Sequence, residues 1–318
     1  MPRKLKVIKN LEQSRFSRSI QDAKQFFGLG WRRFFGECKV ETVIHSSVVS
    51  ETQAVTPGWQ WCDWQGLPYL TCSLLENWQH GFFTQQFYPH TPEKLVWVLK
   101  PDAAVYRVKQ VHGNRVLMPQ TIEAARTLQN EETTLPDADG IVTEGKKQAV
   151  WVASADCNPV LIGDVATGRV AAVHAGWRGT AQKIVPEAIA RFLALGSSLT
   201  NLRIAIGPAI TGEVYQVSEP VAAEVGASII SPQEATTTEE MLAALKQLPD
   251  SPLLDDDKPG RVRLDIRRVN TIQIEQLGIP QQQIAIAPYC TYLRSELFFS
   301  YRRSKQKKVQ WSGIISNS

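Results

Sequence analysis

The sequence predicts an α+β fold in which mixed β-sheets carry flanking helices, and three observations lead there. Short runs rich in Val, Ile and Leu recur along the chain, helical periodicity follows some of them, and hairpin signals separate others. Strands and helices alternate only in places, so mixed sheets are expected rather than a doubly wound parallel one. The chain has 318 residues, 43% hydrophobic and 21% charged, an ordinary globular composition. No stretch approaches the roughly 18 apolar residues of a transmembrane helix. The five cysteines, Cys38, Cys62, Cys72, Cys157 and Cys290, form no close-spaced zinc pair and no even-numbered framework. They point to a reducing, cytoplasmic setting.

Residues 1–57 read as a basic extension and linker, and residues 58–318 as one catalytic domain. Residues 1–37 carry nine Lys or Arg against Glu12, Asp22 and Glu37, a net +6 within a total of +4. The remainder is thus mildly acidic, unlike a nucleic-acid-binding domain, whose basic residues form a stripe on the folded surface. Within the arm Phe16, Ile20, Ala23, Phe26, Phe27, Phe34 and Phe35 recur at near-helical spacing, with Arg15, Arg18, Lys24, Arg32 and Arg33 between them. That is an amphipathic basic helix broken by glycines at 28 and 30. Packing on its own domain is the commoner fate of such a helix; a membrane surface or a partner is the alternative. No apolar segment of the secretory kind follows the basic start, whereas an organelle transit peptide is partly matched. Residues 46–57 are polar and Ser/Thr-rich, as linkers are.

Beyond the linker, strands are expected at 95–99, 104–111, 149–154, 159–163, 170–174, 202–206 and 284–287, and helices at 181–195, 219–229, 238–247 and 266–277. Residues 249–260, which include Asp255, Asp256 and Asp257, read as an exposed, solvated loop.

Residues 149–180 are the most informative. A hairpin turn centred between Ala166 and Thr167 sets His174 opposite Pro159. Side chains alternate along a strand, so Cys157, Pro159 and His174 share one face, with Cys157 and His174 near the open end. A metal ion or a hydrogen bond would bridge two such groups. The stretch Gly176 to Thr180 joins the second strand to a helix expected from about Ala181, where glycines let backbone amides approach an anion, Thr180 caps the helix and Arg178 adds charge.

Six ordered motifs now stand out: Gln110 to Gly113 (Gln-Val-His-Gly), Asp137 to Thr143, Ala155 to Val160 (Ala-Asp-Cys-Asn-Pro-Val), Ala172 to Gly179 (Ala-Val-His-Ala-Gly-Trp-Arg-Gly), Ile206 to Pro208, and Phe298 to Arg303. Across residues 78–303 the chain resembles the laccase-domain, YfiH-like family, often labelled polyphenol oxidase, whose better-supported activity is purine nucleoside phosphorolysis with adenosine deamination. The resemblance implies a single YfiH-like domain that takes a small-molecule nucleoside and phosphate, with zinc held by His112, Cys157 and His174. Two departures bear on substrate choice. His80-Gly81-Phe82 is followed by Gln85-Gln86-Phe87 rather than a Thr-Arg-x-Gly-Gly loop, and Ala209 stands where a cysteine is common.

Three protein ligands leave the fourth zinc position open, as in catalytic sites. Arg178, Arg302 and Arg303 are the candidate phosphate ligands, the last two equally readable as a surface pair extended by Lys305, Lys307 and Lys308. Asp139 is a candidate general acid or base, with an Asx-turn role equally open. A multicopper oxidase needs on the order of ten histidines, and the chain has His45, His80, His90, His112 and His174 only. A single copper shares the His-Cys-His set and stays as the alternative cofactor. A third reading makes Cys157 a catalytic nucleophile and His174 its base, in a cysteine hydrolase. A monomer is expected.

Overall fold

The computed structural model describes residues 38–39, 58–128, 135–231 and 233–317. The chain divides into residues 1–37 and 38–318; the expected basic helix and the linker over 46–57 lie outside the described residues.

The described residues form three sheets. The first runs in the order β1 (Cys38–Lys39), β2 (Trp59–Trp64), β3 (Leu67–Cys72), β4 (His80–Phe83), β16 (Gln310–Ile315), β8 (Gln148–Ser154), β5 (Ala104–Tyr106). In the second the order is β15 (Ile284–Ile286), β11 (Leu202–Ile206), β9 (Asn158–Asp164), β10 (Val170–Ala175), β7 (Gly140–Val142), β6 (Val116–Leu117). The third comprises β12 (Gln216–Ser218), β14 (Arg261–Leu264) and β13 (Leu253–Asp255), with β14 central. Both larger sheets are mixed: β5 and β8, β6 and β7, and β11 and β15 pair in parallel, the other pairs antiparallel. The mixed α/β class is thus what the sequence predicts.

Alternation along the strands shows how the layers stack. In β9, Leu161 joins a cluster with Phe82, Val150 and Val152 of the first sheet and with Trp78 in the loop before β4, while Val160 and Ile162 join one with Ile184, Ile189 and Phe192. The two sheets therefore pack face to face, and the far side of the second is covered by α4 (Ile184–Ala194) and α7 (Ile266–Gln276). The outer face of the first sheet buries Ala149 and Trp151 with Leu95 and Val96 of α1 (Pro92–Leu99). Each large side chain so buried contributes about 1.5–3 kcal/mol. The third sheet packs its own core with α5 (Glu219–Gly226) and α6 (Thr238–Gln247).

Three expectations need correction. Residues 95–99 are helical, because Thr91 and Pro92 start a helix whose Leu95, Val96 and Leu99 make a helical stripe; so short an apolar run carries no period of its own. The strand expected over 104–111 ends at Tyr106, since the chain then leaves the first sheet for the second. Nor is the aspartate loop merely solvated: Leu253–Asp255 is a strand, and Asp256 accepts from Gln216 and Arg263.

Candidate metal centre

Two crossings between the sheets build this site. The segment 107–115 leaves β5 in the first sheet and enters β6 in the second; residues 155–157 leave β8 and enter β9. The first crossing is clipped to the end of β8 that leads into the second, because the Gln110 amide donates to the Ala153 carbonyl at 2.8 Å and accepts from the Ala153 N–H at 2.7 Å. Both turns use left-handed backbone, at His112 (φ 61°) and Asp156 (φ 95°). His174 sits near the end of β10, opposite Pro159 as the hairpin arithmetic expects.

The candidate donor atoms of His112, Cys157 and His174 all lie within 4.8 Å of one another. The two imidazoles meet edge to face, centroids 4.8 Å apart. Gly176 forms the floor: a Cβ there would lie 3.0 Å from the Cys157 Sγ, 3.2 Å from His112 Cδ2 and 3.7 Å from His174 Cε1. A thiol and two imidazoles around so small a cradle match the donor types and number of a three-ligand zinc site. His112 is exposed, Cys157 half-buried and His174 buried, so the set opens to solvent on one side.

Asp139 lies beneath, fully buried. Its carboxylate accepts from three successive backbone N–H groups, Val111 at 3.2 Å, His112 at 2.9 Å and Gly113 at 2.8 Å. It also receives the His174 Nδ1–H at 2.9 Å, which leaves His174 Nε2 for the site. Burial works against its charge, but the His174 hydrogen bond and the Gly113 and His112 amides prevail and hold its pKa below the usual carboxylate range. Burial likewise opposes charge on the pair above, yet mutual attraction dominates: in the metal-free chain Cys157 falls to about 6 and His174 rises to about 9. Asp139→Asn is expected to reduce metal affinity about 10–100-fold, since it disturbs the orientation of His174 and the His112 turn together. Competition with a zinc chelator measures this.

The expected helix start also shifts. A short helix α3 (Trp177–Ala181) begins directly after Gly176, so Thr180 is not a cap but lies inside it, buried against Asn270. Lys183 then adopts left-handed backbone before α4.

Of the three arginines, Arg178 is exposed and stacks over Trp177 at 4.3 Å. Arg302 lies 4.7 Å over the Tyr215 ring and donates Nη1–H to the Gln216 carbonyl at 2.8 Å. Arg303 is engaged internally, donating to the carbonyls of Thr291 (2.7 Å), Tyr292 (2.6 Å) and Phe298 (2.7 Å). Tyr215 belongs to none of the six motifs and was missed. Burial first, then the Cys157 charge, raises its pKa to about 12, with Asp156 adding to the rise and Arg302 and Arg178 opposing it; the half-buried ring carries the guanidinium of Arg302, whose backbone N–H is bonded to Asp156, the neighbour of Cys157. With Tyr215 58 residues beyond Cys157 and in no periodic pattern with it, only the fold brings the two together.

The family described as multi-copper polyphenol oxidoreductase laccase matches residues 93–316. The chain belongs to this family. A purine nucleoside phosphorylase of Synechocystis is 53% identical over 258 residues, 81% of this chain and 97% of that protein. One of Mycobacterium bovis is 33% identical over 203 residues, 64% and 68% of the two chains. Among solved structures, the YfiH protein of Bacillus licheniformis superposes with a TM-score of 0.63 at 24% identity, over 79% of this chain and 96% of that one. The fold is therefore that of YfiH, and among the described residues the family's laccase label stands beside a His-Cys-His cluster rather than the histidine-rich centres of a multicopper enzyme.

Proposed function

We propose that this laccase-family chain is a zinc-dependent purine nucleoside phosphorylase that converts adenosine and phosphate to adenine and ribose 1-phosphate, with slower deamination to inosine. The observation that carries the reading is the convergence of His112, Cys157 and His174 on the cradle at Gly176. The phosphorylase names of its relatives, one covering nearly its own whole length, support the same substrate class. His112, Cys157 and His174 would hold the metal, which when bound supplies a Lewis acid without redox chemistry.

In phosphorolysis the bond from C1′ to the purine nitrogen breaks, a C1′–O bond to phosphate forms, and the leaving purine takes up a proton. The chain's task is to hold phosphate against C1′ and stabilise its charge. Arg178 and Arg302 take that role, because each guanidinium rests on a ring and, among the described residues, has donors left for an anion. Arg303 instead anchors the 291–298 loop. Asp139 orients His174 rather than meeting substrate, since its carboxylate is buried beneath the ligands.

Chromatography of adenosine incubated with and without phosphate tests the proposal. Phosphate-dependent adenine is expected; phenol oxidation that requires copper, with no adenine, would establish the oxidase instead. The Cys157–His174 pair also suits a cysteine hydrolase, and full activity in the metal-free chain would favour it.

A pH dependence follows. Metal binding needs a thiolate and neutral imidazoles. Between about 6 and about 9 the metal-free pair is thiolate and imidazolium, so zinc must displace the His174 proton. Affinity is expected to rise with pH across that window, with about one proton released per zinc. Below it the Cys157 proton must leave as well, and affinity falls more steeply with acidification. Calorimetry in two buffers of different ionisation enthalpy counts the protons.

A further inference from the structure

We infer that Asp156 is a positioning residue for the anion, fixing Arg302 against the turn that carries Cys157; the identity of the anion as phosphate rests on the phosphorolysis reading. Asp156 is buried with φ 95°, a conformation that strains a non-glycine residue. A turn needing only that backbone would favour glycine or asparagine. What the aspartate adds is its carboxylate, and both oxygens are used. Oδ1 accepts from the Thr291 hydroxyl at 2.8 Å and Oδ2 from the Arg302 backbone N–H at 2.7 Å, while the Asp156 carbonyl accepts from Ile210 N at 3.0 Å. Three segments distant in sequence thus meet on the residue preceding Cys157.

Arg302 belongs to the short helix α8 (Tyr301–Ser304). Its backbone is tied to Asp156, and its guanidinium is held by the Tyr215 ring and the Gln216 carbonyl. Among the described residues its Nε and Nη2 make no hydrogen bond, so one edge of the fork remains for an oxyanion. Neighbouring Arg303 donates to three carbonyls and locks the loop on which the helix rests. With the backbone of Arg302 pinned one residue from a candidate metal ligand, the spacing between the anion and the metal centre is set by Asp156. Without it, α8 keeps its fold through Arg303 but loses its tie to the centre.

The test compares Asp156→Gly, which accepts the positive φ but deletes both side-chain bonds, with Asp156→Asn, which can still accept from Arg302 N and donate to Thr291 Oγ1. Inorganic phosphate binding to the zinc-loaded full chain is measured by isothermal titration, alongside zinc content and thermal midpoint. For Asp156→Gly, zinc content and melting near wild type are expected, with phosphate affinity about tenfold weaker and a matching rise in KM for phosphate larger than any fall in kcat. Asp156→Asn should recover most of the affinity. Thr291→Val, which removes one of the two bonds without touching the turn, should weaken phosphate in the same direction and supplies the reading if Asp156→Gly does not fold. Unchanged phosphate affinity in Asp156→Gly, loss of zinc in that variant, no recovery by Asp156→Asn, or a wild type that binds no phosphate would each overturn the inference. Phosphate binding that follows this pattern in a protein without phosphorolysis would leave the inference standing and remove the proposed function.

Discussion

Replacing Cys157 and His174 together by alanine is expected to leave a folded protein that binds no zinc and phosphorolyses adenosine at least about a thousandfold more slowly, the scale of several kcal/mol of lost charge stabilisation. Either residue alone leaves two donors, and a weakly held metal would blur the result. The double variant removes the thiolate and the imidazole that Asp139 orients, while His112 remains on its exposed turn. The metal-free wild type holds a thiolate and an imidazolium side by side, so the variant also loses that attraction but gains no uncompensated buried charge beyond Asp139, which keeps three backbone donors. Elemental analysis and turnover are read on the same sample; full zinc content in the variant would contradict the ligand assignment.

The second large effect comes from one methyl group. Gly176→Ala places a Cβ 3.0 Å from the Cys157 sulfur and 3.2 Å from the His112 ring, inside the space the donors share. The backbone of Gly176 has φ −71°, which alanine adopts freely, so the strain falls on the ligands. Metal affinity is expected to fall about 100-fold, as when ligand orientation is disturbed, while the metal-free chain melts within a few degrees of wild type. Gly113→Ala is the control. Its Cβ would lie 3.8 Å from the Asp139 carboxylate, an ordinary contact, and affinity should barely change. Equal losses in the two variants would mean that neither effect comes from the cradle.

Much of this site is legible in the sequence because its parts obey short-range rules. The hairpin that carries His174 follows from strand alternation and a turn position, and the register His174 opposite Pro159 is what the fold shows. Helices 238–247 and 266–277 are readable from their period to within a residue at each end. What escapes is set by long-range topology. Gln110 and Asp156 act where the chain changes sheets, and nothing local says that the first crossing is clipped to the strand leading into the second. Arg302 and Arg303 are adjacent and alike in sequence; only the carbonyls around each show that one guanidinium is consumed and the other has donors left. Asp139 reads as a turn residue or a catalyst from sequence, whereas the fold buries it under three amides and an imidazole.

Zinc K-edge X-ray absorption on the metal-loaded full chain tests the central claim most directly. One zinc per chain is expected, with a single sulfur scatterer at about 2.3 Å and nitrogen scatterers at about 2.0 Å, and with the sulfur shell lost in Cys157→Ala. A spectrum without sulfur, or one whose sulfur shell survives in Cys157→Ala, would contradict a metal centre built on His112, Cys157 and His174.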